Sequence, residues 1–292
     1  MASLTDTTIQ PDATLESLVD RILEISSFPH VATRVLEIMN NSDSSVKDLQ
    51  EVVECDPALV SRILRTVNSS AYATRTRVDS IHRAISLLGF NEIKNLTLTA
   101  SVTALFRQDA LIGTYSRSAL WKHLVCVAVT ARFIAARSGL ARFDEAYMSG
   151  LLHDIGLILL DQHLNEAFTK MVSTVSTNRP TIDVEREMLG FDHASVGAGV
   201  AKKWGFPPCI VEAIRCHHDS ESCDAEHQEV VRAVEIANFL CSRKGITSVG
   251  LHNVRPPAGS TFSALSIGRD DLAVLWKDLD DELRKAQELC EI

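Results

Sequence analysis

The 292-residue chain lacks the features that mark several classes of protein. It has no C-x-x-C pair, and its seven cysteines are odd in number and scattered. This usage predicts reduced, mostly buried thiols in a cytoplasmic protein rather than a disulfide framework. The polar start carries no secretion-signal pattern. The longest apolar runs, at 119–136 and 148–160, are interrupted by charged residues or histidines. Neither run is predicted to cross a membrane.

An excess of basic residues is also lacking. The formal net charge is −9, whereas a general nucleic-acid-binding protein carries a basic footprint, so nucleic acid is not an expected partner. A local group of arginines lies on or between short predicted helices. Solvated surface is the favoured interpretation of this group, and a helix-turn-helix or a docking patch for an acidic partner stays open. Its members are Arg62, Arg65, Arg75, Arg77 and Arg83.

Strand patterns are absent too, because no segment alternates apolar and polar residues between turn signals. Helical periodicity and capping residues recur instead, with Asp56 before Pro57 as a strong helix start and Ser80 and Asn91 as further predicted caps. The segment 119–137 is apolar on nearly every side, which predicts a central helix. The sequence therefore predicts an all-α protein. We expect a helical N-terminal subdomain (1–112), a second helical domain (113–245), and a loop with an amphipathic C-terminal helix that packs on the body (246–292).

What the sequence does contain is a polar pair inside an apolar run, His153–Asp154 in "LLHDIGLILL". Burying an imidazole beside a carboxylate is costly unless both are satisfied. Imidazoles and one carboxylate delivered from separate helices form a ligand set for a transition metal. The other histidines in this predicted set are His123, His193, His217 and His218. A hydrogen-bonded core role stays the alternative, and it is favoured for His30, His82 and His163. For His217 and His218, a role as caps at the C-terminal end of a helix is a further alternative.

These residues carry a resemblance to a known family. "HDIG", with an upstream histidine and a downstream "HH", resembles the HD superfamily of metal-dependent phosphohydrolases. "FPHVATRVLEIMN", "DPALVSRILRTVNSSAY" and "LGFDHASVGAGVAKKWGFP" resemble, more specifically, the HDOD family of bacterial signalling domains over roughly residues 15–245. The resemblance implies an HD/phosphodiesterase-like helical bundle with a helical N-terminal subdomain. It also implies one or two divalent transition-metal ions, iron first and then manganese, nickel or zinc.

Carried over residue by residue, the metal positions of the superfamily fall on the His–Asp set and, more weakly, on Asn238. They are His123, His153, Asp154, His193, His217, His218 and Asn238. Asn238 replaces the usual Asp and offers only a neutral carbonyl. The related HD-GYP phosphodiesterases read H-D-I-G-K, and here Leu157 stands where the lysine contacts phosphate. Their Gly-Tyr-Pro segment is also absent after "HH".

These departures set the order of the functional hypotheses. The first is a regulatory protein that binds protein partners or a nucleotide-like ligand. The second is a metal-dependent phosphohydrolase in which Lys202 or Arg215 binds the phosphate. For this enzyme no residue stands out in the sequence as the general base. Leu157 in place of the lysine also removes a positive charge from the predicted site, and the loss of one such group can cost about 100-fold in rate. An iron oxygenase is a third possibility that no sequence feature selects.

Overall fold

The computed structural model describes residues 14–25, 30–41, 43–69, 72, 74, 76–106 and 108–290. Within these residues the secondary structure is helical apart from one short hairpin and an isolated bridge, which confirms the all-α prediction. Of the arginine group named above, Arg75 lies outside the described residues.

The N-terminal half consists of short helices that lead into the hairpin. They are α1 (Leu15–Ile25), α2 (His30–Asn40), α3 (Val46–Glu54), α4 (Pro57–Val67), α5 (Ile81–Leu88) and α6 (Phe90–Val102), and a 3-10 turn (Thr103–Phe106) joins them to β1 (Leu111–Ile112) and β2 (Tyr115–Ser116). The antiparallel strands pair Leu111 with Ser116 and Ile112 with Tyr115. The sequence did not predict this hairpin, because strands of two residues leave no alternating pattern.

The second half builds the larger bundle. Its first helices are α7 (Arg117–Arg137), α8 (Phe143–Leu152), α9 (Ile155–His163), α10 (Asn165–Thr174) and α11 (Thr181–Leu189). The remaining elements are α12 (His193–Lys203), α13 (Pro208–Cys216), a 3-10 turn (Ser220–Ser222), α14 (Gln228–Arg243), α15 (Gly259–Ala264) and α16 (Arg269–Leu289).

Side-chain caps fix several helix starts where the sequence predicted them. Asp56 accepts from the backbone N–H groups of Ala58 and Leu59, with Pro57 at the first position of α4. Ser80 caps α5 in the same way. The predicted cap at Asn91 is wrong, because α6 begins one residue earlier at Phe90, after Gly89 with φ +89°. Because Gly89 has a positive φ, the chain reverses there and α6 begins directly after it.

Helix α7 is the central helix of the bundle, as predicted. It packs against α8, α14 and α16, and its middle is buried on nearly every side. By length and composition it could cross a membrane, but 72% of its most apolar window is buried inside the fold. Its apolar character is therefore explained by packing against other helices.

The C-terminal segment packs back onto the body. Leu275, Leu279 and Leu283 of α16 are buried, and α16 packs on α7. Trp276 of the same helix is 38% exposed and lies under the ammonium group of Lys244. The loop predicted between residue 245 and the C-terminal helix contains the short helix α15.

Apolar packing joins the two halves of the chain. Helix α1 packs on α12, and one hydrophobic core runs from α1 to α16. The boundaries after residues 112 and 245 stay predictions.

Candidate metal centre

The His153–Asp154 pair lies at a break between two helices. Helix α8 ends at Leu152, and α9 begins at Ile155. The apolar run at 148–160 is therefore divided between two helices. Both side chains are almost fully buried, at 0% and 2% exposure. Because the helix is interrupted there, two consecutive side chains can point into one cluster, which an uninterrupted helix does not allow.

Asp154 lies between two groups of histidines. Its Oδ2 is 3.3 Å from Nε2 of His153 and 3.6 Å from Nε2 of His123. Its Oδ1 is 3.0 Å from Nε2 of His193 and 3.1 Å from Nε2 of His217. The carboxylate thus faces a histidine group on each side.

His218 belongs to the second group. Its Nε2 lies 3.0 Å from Nε2 of His193, and it is half-buried at the edge of the cluster. The structure therefore brings together all six predicted residues of the His–Asp set, from α7, the α8–α9 break, α12 and the end of α13.

Backbone carbonyls fix the orientation of three of the rings. Nδ1 of His123 lies 2.8 Å from the carbonyl oxygen of Ile246. Nδ1 of His153 lies 2.7 Å from that of Gly150, and Nδ1 of His217 lies 2.9 Å from that of Ile214. A carbonyl oxygen can only accept, so the ring proton resides on Nδ1. Each Nε2 of a neutral ring is then an unprotonated acceptor that faces Asp154.

His193 is oriented by a carboxylate instead. Its Nδ1 lies 2.6 Å from Oε2 of Glu185, and its backbone N–H donates to the same oxygen at 2.9 Å. Glu185 is fully buried on α11. Sequence reasoning missed it, because one glutamate in an otherwise ordinary helix gives no signal.

The cluster therefore collects acceptors that have few donors among them. Three of the four Nε2 atoms around Asp154 belong to rings with the proton on Nδ1, and Asn238 Oδ1 on α14 is buried with no hydrogen-bond partner among the described residues. A buried acceptor left unsatisfied costs about 1–3 kcal/mol. A cation would satisfy Asp154 and the Nε2 atoms together, and imidazole with carboxylate suits a borderline transition metal. The residues present fit such an ion.

Two overlapping groups could each hold an ion. In each group the ligand atoms lie within 4.8 Å of one another. One group is His123, His153 and Asp154, and the other is Asp154, His193, His217 and His218. Asp154 belongs to both, which is the arrangement that a bridging carboxylate requires.

The protonation states of most of the rings suit cation binding. Burial lowers the pKa of His123 to about 4 and also lowers the pKa values of His217 and His218. At neutral pH these rings are therefore uncharged, which is the form that binds metal.

The charges of Asp154 and His193 are coupled. Burial opposes ionisation of Asp154, yet the neighbouring His153 and His193 hold the pKa of its carboxyl well below the usual range. Burial would lower the pKa of His193, but the carboxylates of Glu185 and Asp154 raise it well above the usual range. Without a cation, His193 supplies the positive charge between the two carboxylates.

Two glycines allow the ligand-bearing segments to approach closely. A Cβ on Gly156 would lie 1.9 Å from the carbonyl oxygen of His193, so α9 meets the start of α12 backbone to backbone. A Cβ on Gly150 would lie 2.8 Å from Cα of Ala128, where α8 crosses α7. Side chains at either crossing would push the segments apart.

A cavity of about 310 Å³ adjoins the second histidine group. Leu157 lines its wall, and Glu235 and Asn238 reach it from α14. Burial raises the pKa of the Glu235 carboxyl, whose Oε2 accepts from the backbone N–H of Ser220 at 3.4 Å. The cavity therefore joins the His–Asp cluster to a carboxyl group that can hold a proton.

Three arginines also line the cavity, and each is ion-paired. Arg186 contacts Asp192 at 2.7 Å, Arg215 contacts Glu212 at 2.5 Å, and Arg255 contacts Asp183 at 2.5 Å. Of the two predicted phosphate-binding residues, the structure brings Arg215 to the cavity. Lys202 is exposed in the last turn of α12 and does not line the cavity. Arg186 and Arg255 were missed, because they come from distant segments without a motif.

Comparisons with known proteins agree with this architecture. The model of a family described as the HDOD domain matches residues 25–220. An uncharacterized protein of Treponema pallidum is 25% identical over 225 residues, which are 76% of this chain and 43% of that protein. The chain thus spans less than half the length of this curated relative.

Two solved structures share the fold. A candidate signal transduction protein from Marinobacter aquaeolei superposes with a TM-score of 0.76 at 25% identity, over 94% of this chain and 63% of that one. An HDOD domain protein of unknown function from Geobacter sulfurreducens superposes with a TM-score of 0.78 at 23% identity, over 94% and 97% of the two chains.

Proposed function

The chain belongs to the HDOD domain family, and we propose that it is a signalling protein that binds a divalent transition metal at its His–Asp cluster. The observation that carries this proposal is the buried carboxylate of Asp154, which has the Nε2 atoms of four buried histidines within 3.0–3.6 Å, three of them on rings whose proton lies on Nδ1. Leaving these acceptors without a cation is costly. Cytoplasmic location and protein partners in signalling belong to the same proposal.

The His–Asp set would hold one or two ions, with iron first and manganese, nickel or zinc as alternatives. His123 and His153 would serve one ion, and His193, His217 and His218 the other, with Asp154 between them. Asn238 would add a neutral carbonyl oxygen from α14. A bound cation supplies Lewis acidity toward a phosphoryl oxygen.

The cavity suits a phosphate-bearing or nucleotide-like ligand, because three guanidinium groups line it. Each of them is already paired with a carboxylate, and Leu157 supplies no charge to the wall. A phosphate would have to compete with these carboxylates. This competition favours a reversibly bound regulatory ligand over a substrate held for hydrolysis.

A phosphohydrolase is the second candidate function, and Glu235 is the observation that favours it. Its carboxyl lines the cavity, and burial raises its pKa. A carboxyl of raised pKa is a better proton donor to a leaving group than an ordinary carboxyl at the same pH, because more of it is protonated. In this reading Glu235 would protonate the leaving oxygen, while Arg215 would orient the phosphate.

The metal content of protein purified without chelator or nickel column tests the proposal. We expect about one or two equivalents by mass spectrometry, with a large loss in Asp154→Asn and a partial loss in His153→Ala. His163→Ala, a half-buried histidine of α9 outside the cluster, is the control and should keep the metal. Metal-free wild-type protein after incubation with each of the four ions would overturn the proposal.

The phosphohydrolase candidate has its own test. Metal-loaded protein is incubated with bis-p-nitrophenyl phosphate and with cyclic dinucleotides. Turnover that is lost in Glu235→Gln would support it. An absence of hydrolysis in protein with full metal occupancy would remove this candidate and leave the binding function in place.

A further inference from the structure

Two cysteines bound the turn that carries His217 and His218. Cys216 is the last residue of α13, and Cys223 directly follows the 3-10 turn. Both are buried, with 2% and 8% exposure. Their Sγ atoms lie within 4.8 Å of each other and of a carboxylate oxygen of Glu212, and Cys216 lines the cavity.

This thiol pair does not suit a further metal ion. Both carboxylate oxygens of Glu212 are engaged by Arg215, at 2.9 Å from Nε and 2.5 Å from Nη2. A dication at the thiols would lie beside a guanidinium group and would compete with it for the same carboxylate. Ser222 Oγ donates to the sulfur of Cys216 at 3.5 Å, so this sulfur already has a partner. The chemistry left to two adjacent thiols is oxidation.

We propose that Cys216 and Cys223 form a reversible disulfide that alters the adjoining metal centre. A disulfide requires an S–S distance of about 2.05 Å, so the sulfurs must approach from their present separation. Cys216 is held in α13, whereas Cys223 lies at the far end of a turn, so closure moves the turn. His217 and His218 lie within it. The effect on the metal rests on the proposed function, but disulfide formation itself does not.

The oxidant is a small-molecule disulfide such as oxidised glutathione. Cys223, the more exposed thiol, loses its proton and attacks one sulfur of the oxidant, which releases one glutathione thiolate. Cys216 then loses its proton and attacks the Cys223 sulfur, which releases the second thiolate. The protein gives up two electrons, and its two protons neutralise the two thiolates. Burial raises the pKa of Cys223 to about 12, so slow oxidation is expected.

The test is an overnight incubation of the full chain with oxidised glutathione at mildly alkaline pH, followed by peptide mapping. We expect a 216–223 cross-link and a mass lower by about 2 Da, the two hydrogens lost. Metal affinity, measured by chelator competition, should fall about tenfold in the oxidised protein. Dithiothreitol should restore both the mass and the affinity.

Two variants decide between the outcomes. Cys223→Ser should abolish the cross-link and make metal affinity insensitive to the oxidant. Cys209→Ser removes another buried thiol of α13 and should leave both effects intact. A cross-link through Cys209, a stable glutathione adduct, or no cross-link would overturn the assigned pair. A mapped 216–223 disulfide with unchanged metal affinity would overturn the coupling. A reduced protein without metal would instead contradict the proposed function, while the mapped bond would still support the modification site.

Discussion

Nδ1 of His193 lies 2.6 Å from Oε2 of Glu185, so a buried carboxylate on α11 orients the imidazole that opens α12. The same oxygen accepts the backbone N–H of His193. Histidines that bind metal usually donate their other ring N–H to a carboxylate or a carbonyl, which fixes the tautomer and strengthens the ligand. The Glu185–His193 pair has this arrangement.

Replacing Glu185 with Gln is expected to weaken metal binding about 10- to 100-fold. The amide still accepts from Nδ1, but it lacks the negative charge that makes the ring a stronger ligand. Isothermal titration with the metal measures the change. Glu187→Gln on the same helix, where Glu187 is exposed and paired with Arg179, should bind as the wild type does. Equal affinities for the two variants would contradict the role of Glu185.

Asn238→Asp is expected to tighten metal binding about tenfold, because an ionised acceptor forms stronger contacts than an amide oxygen. Asn238 is 1% exposed, and its Oδ1 has no hydrogen-bond partner within the part of the chain that the structure describes. Chelator competition gives the affinity. Ser248→Asp adds a carboxylate elsewhere on the cavity wall and should have a smaller effect. If both variants gain equally, general charge rather than the position of Asn238 is responsible.

Gly156→Ala is expected to destabilise the fold by about 1–3 kcal/mol, because its Cβ would overlap the His193 carbonyl oxygen. It should also lower metal occupancy, since α9 and α12 would separate. Urea unfolding and metal analysis measure the two effects. Gly259→Ala, where an added Cβ meets no atom of the described residues within 4 Å, should leave both unchanged. Wild-type stability in Gly156→Ala would show that the crossing relaxes without cost.

Glu92→Gln is expected to lower the free energy of unfolding by about 1–3 kcal/mol. Glu92 on α6 accepts from Tyr72 at 2.5 Å and pairs with Arg132 of α7 at 2.5 Å, and its side chain is 17% exposed. The substitution leaves a largely buried guanidinium without its counter-charge. The urea midpoint reports the loss, and Glu51→Gln at an exposed pair with Lys47 should change it little. Equal midpoints for the two variants would mean that the Glu92–Arg132 pair is not stabilising.

Local chemistry decided which parts of the fold the sequence could predict. Asp56–Pro57 and Ser80 predicted helix starts, because a cap contacts residues only two or three positions away. The break at His153–Asp154 was not predicted. No proline or left-handed glycine marks it, and the apolar run continues through it. The break lies beside a tertiary contact, the close backbone approach of Gly156 to His193, which no local pattern reveals.

The residues of the candidate site also fall into two groups, those that the sequence predicted and those that it did not. Its histidines and Asp154 could be named from the sequence, because an uncompensated polar pair in an apolar run requires partners. Glu185, Arg186 and Arg255 could not be named, because they approach the site from segments whose local patterns are ordinary. Lys202 looked equivalent to Arg215 in sequence, and only the fold separates an exposed helix end from a cavity wall.

The bond between Nδ1 of His123 and the carbonyl oxygen of Ile246 reaches beyond residue 220, where the family match ends. The acceptor is main-chain oxygen, which every amino acid supplies. The contact with His123 therefore constrains the path of the backbone and not the residue type at 246, where the Ile246 side chain packs separately against the core. Excision of a minimal domain at the end of the family match would remove this acceptor and release the His123 ring to change tautomer.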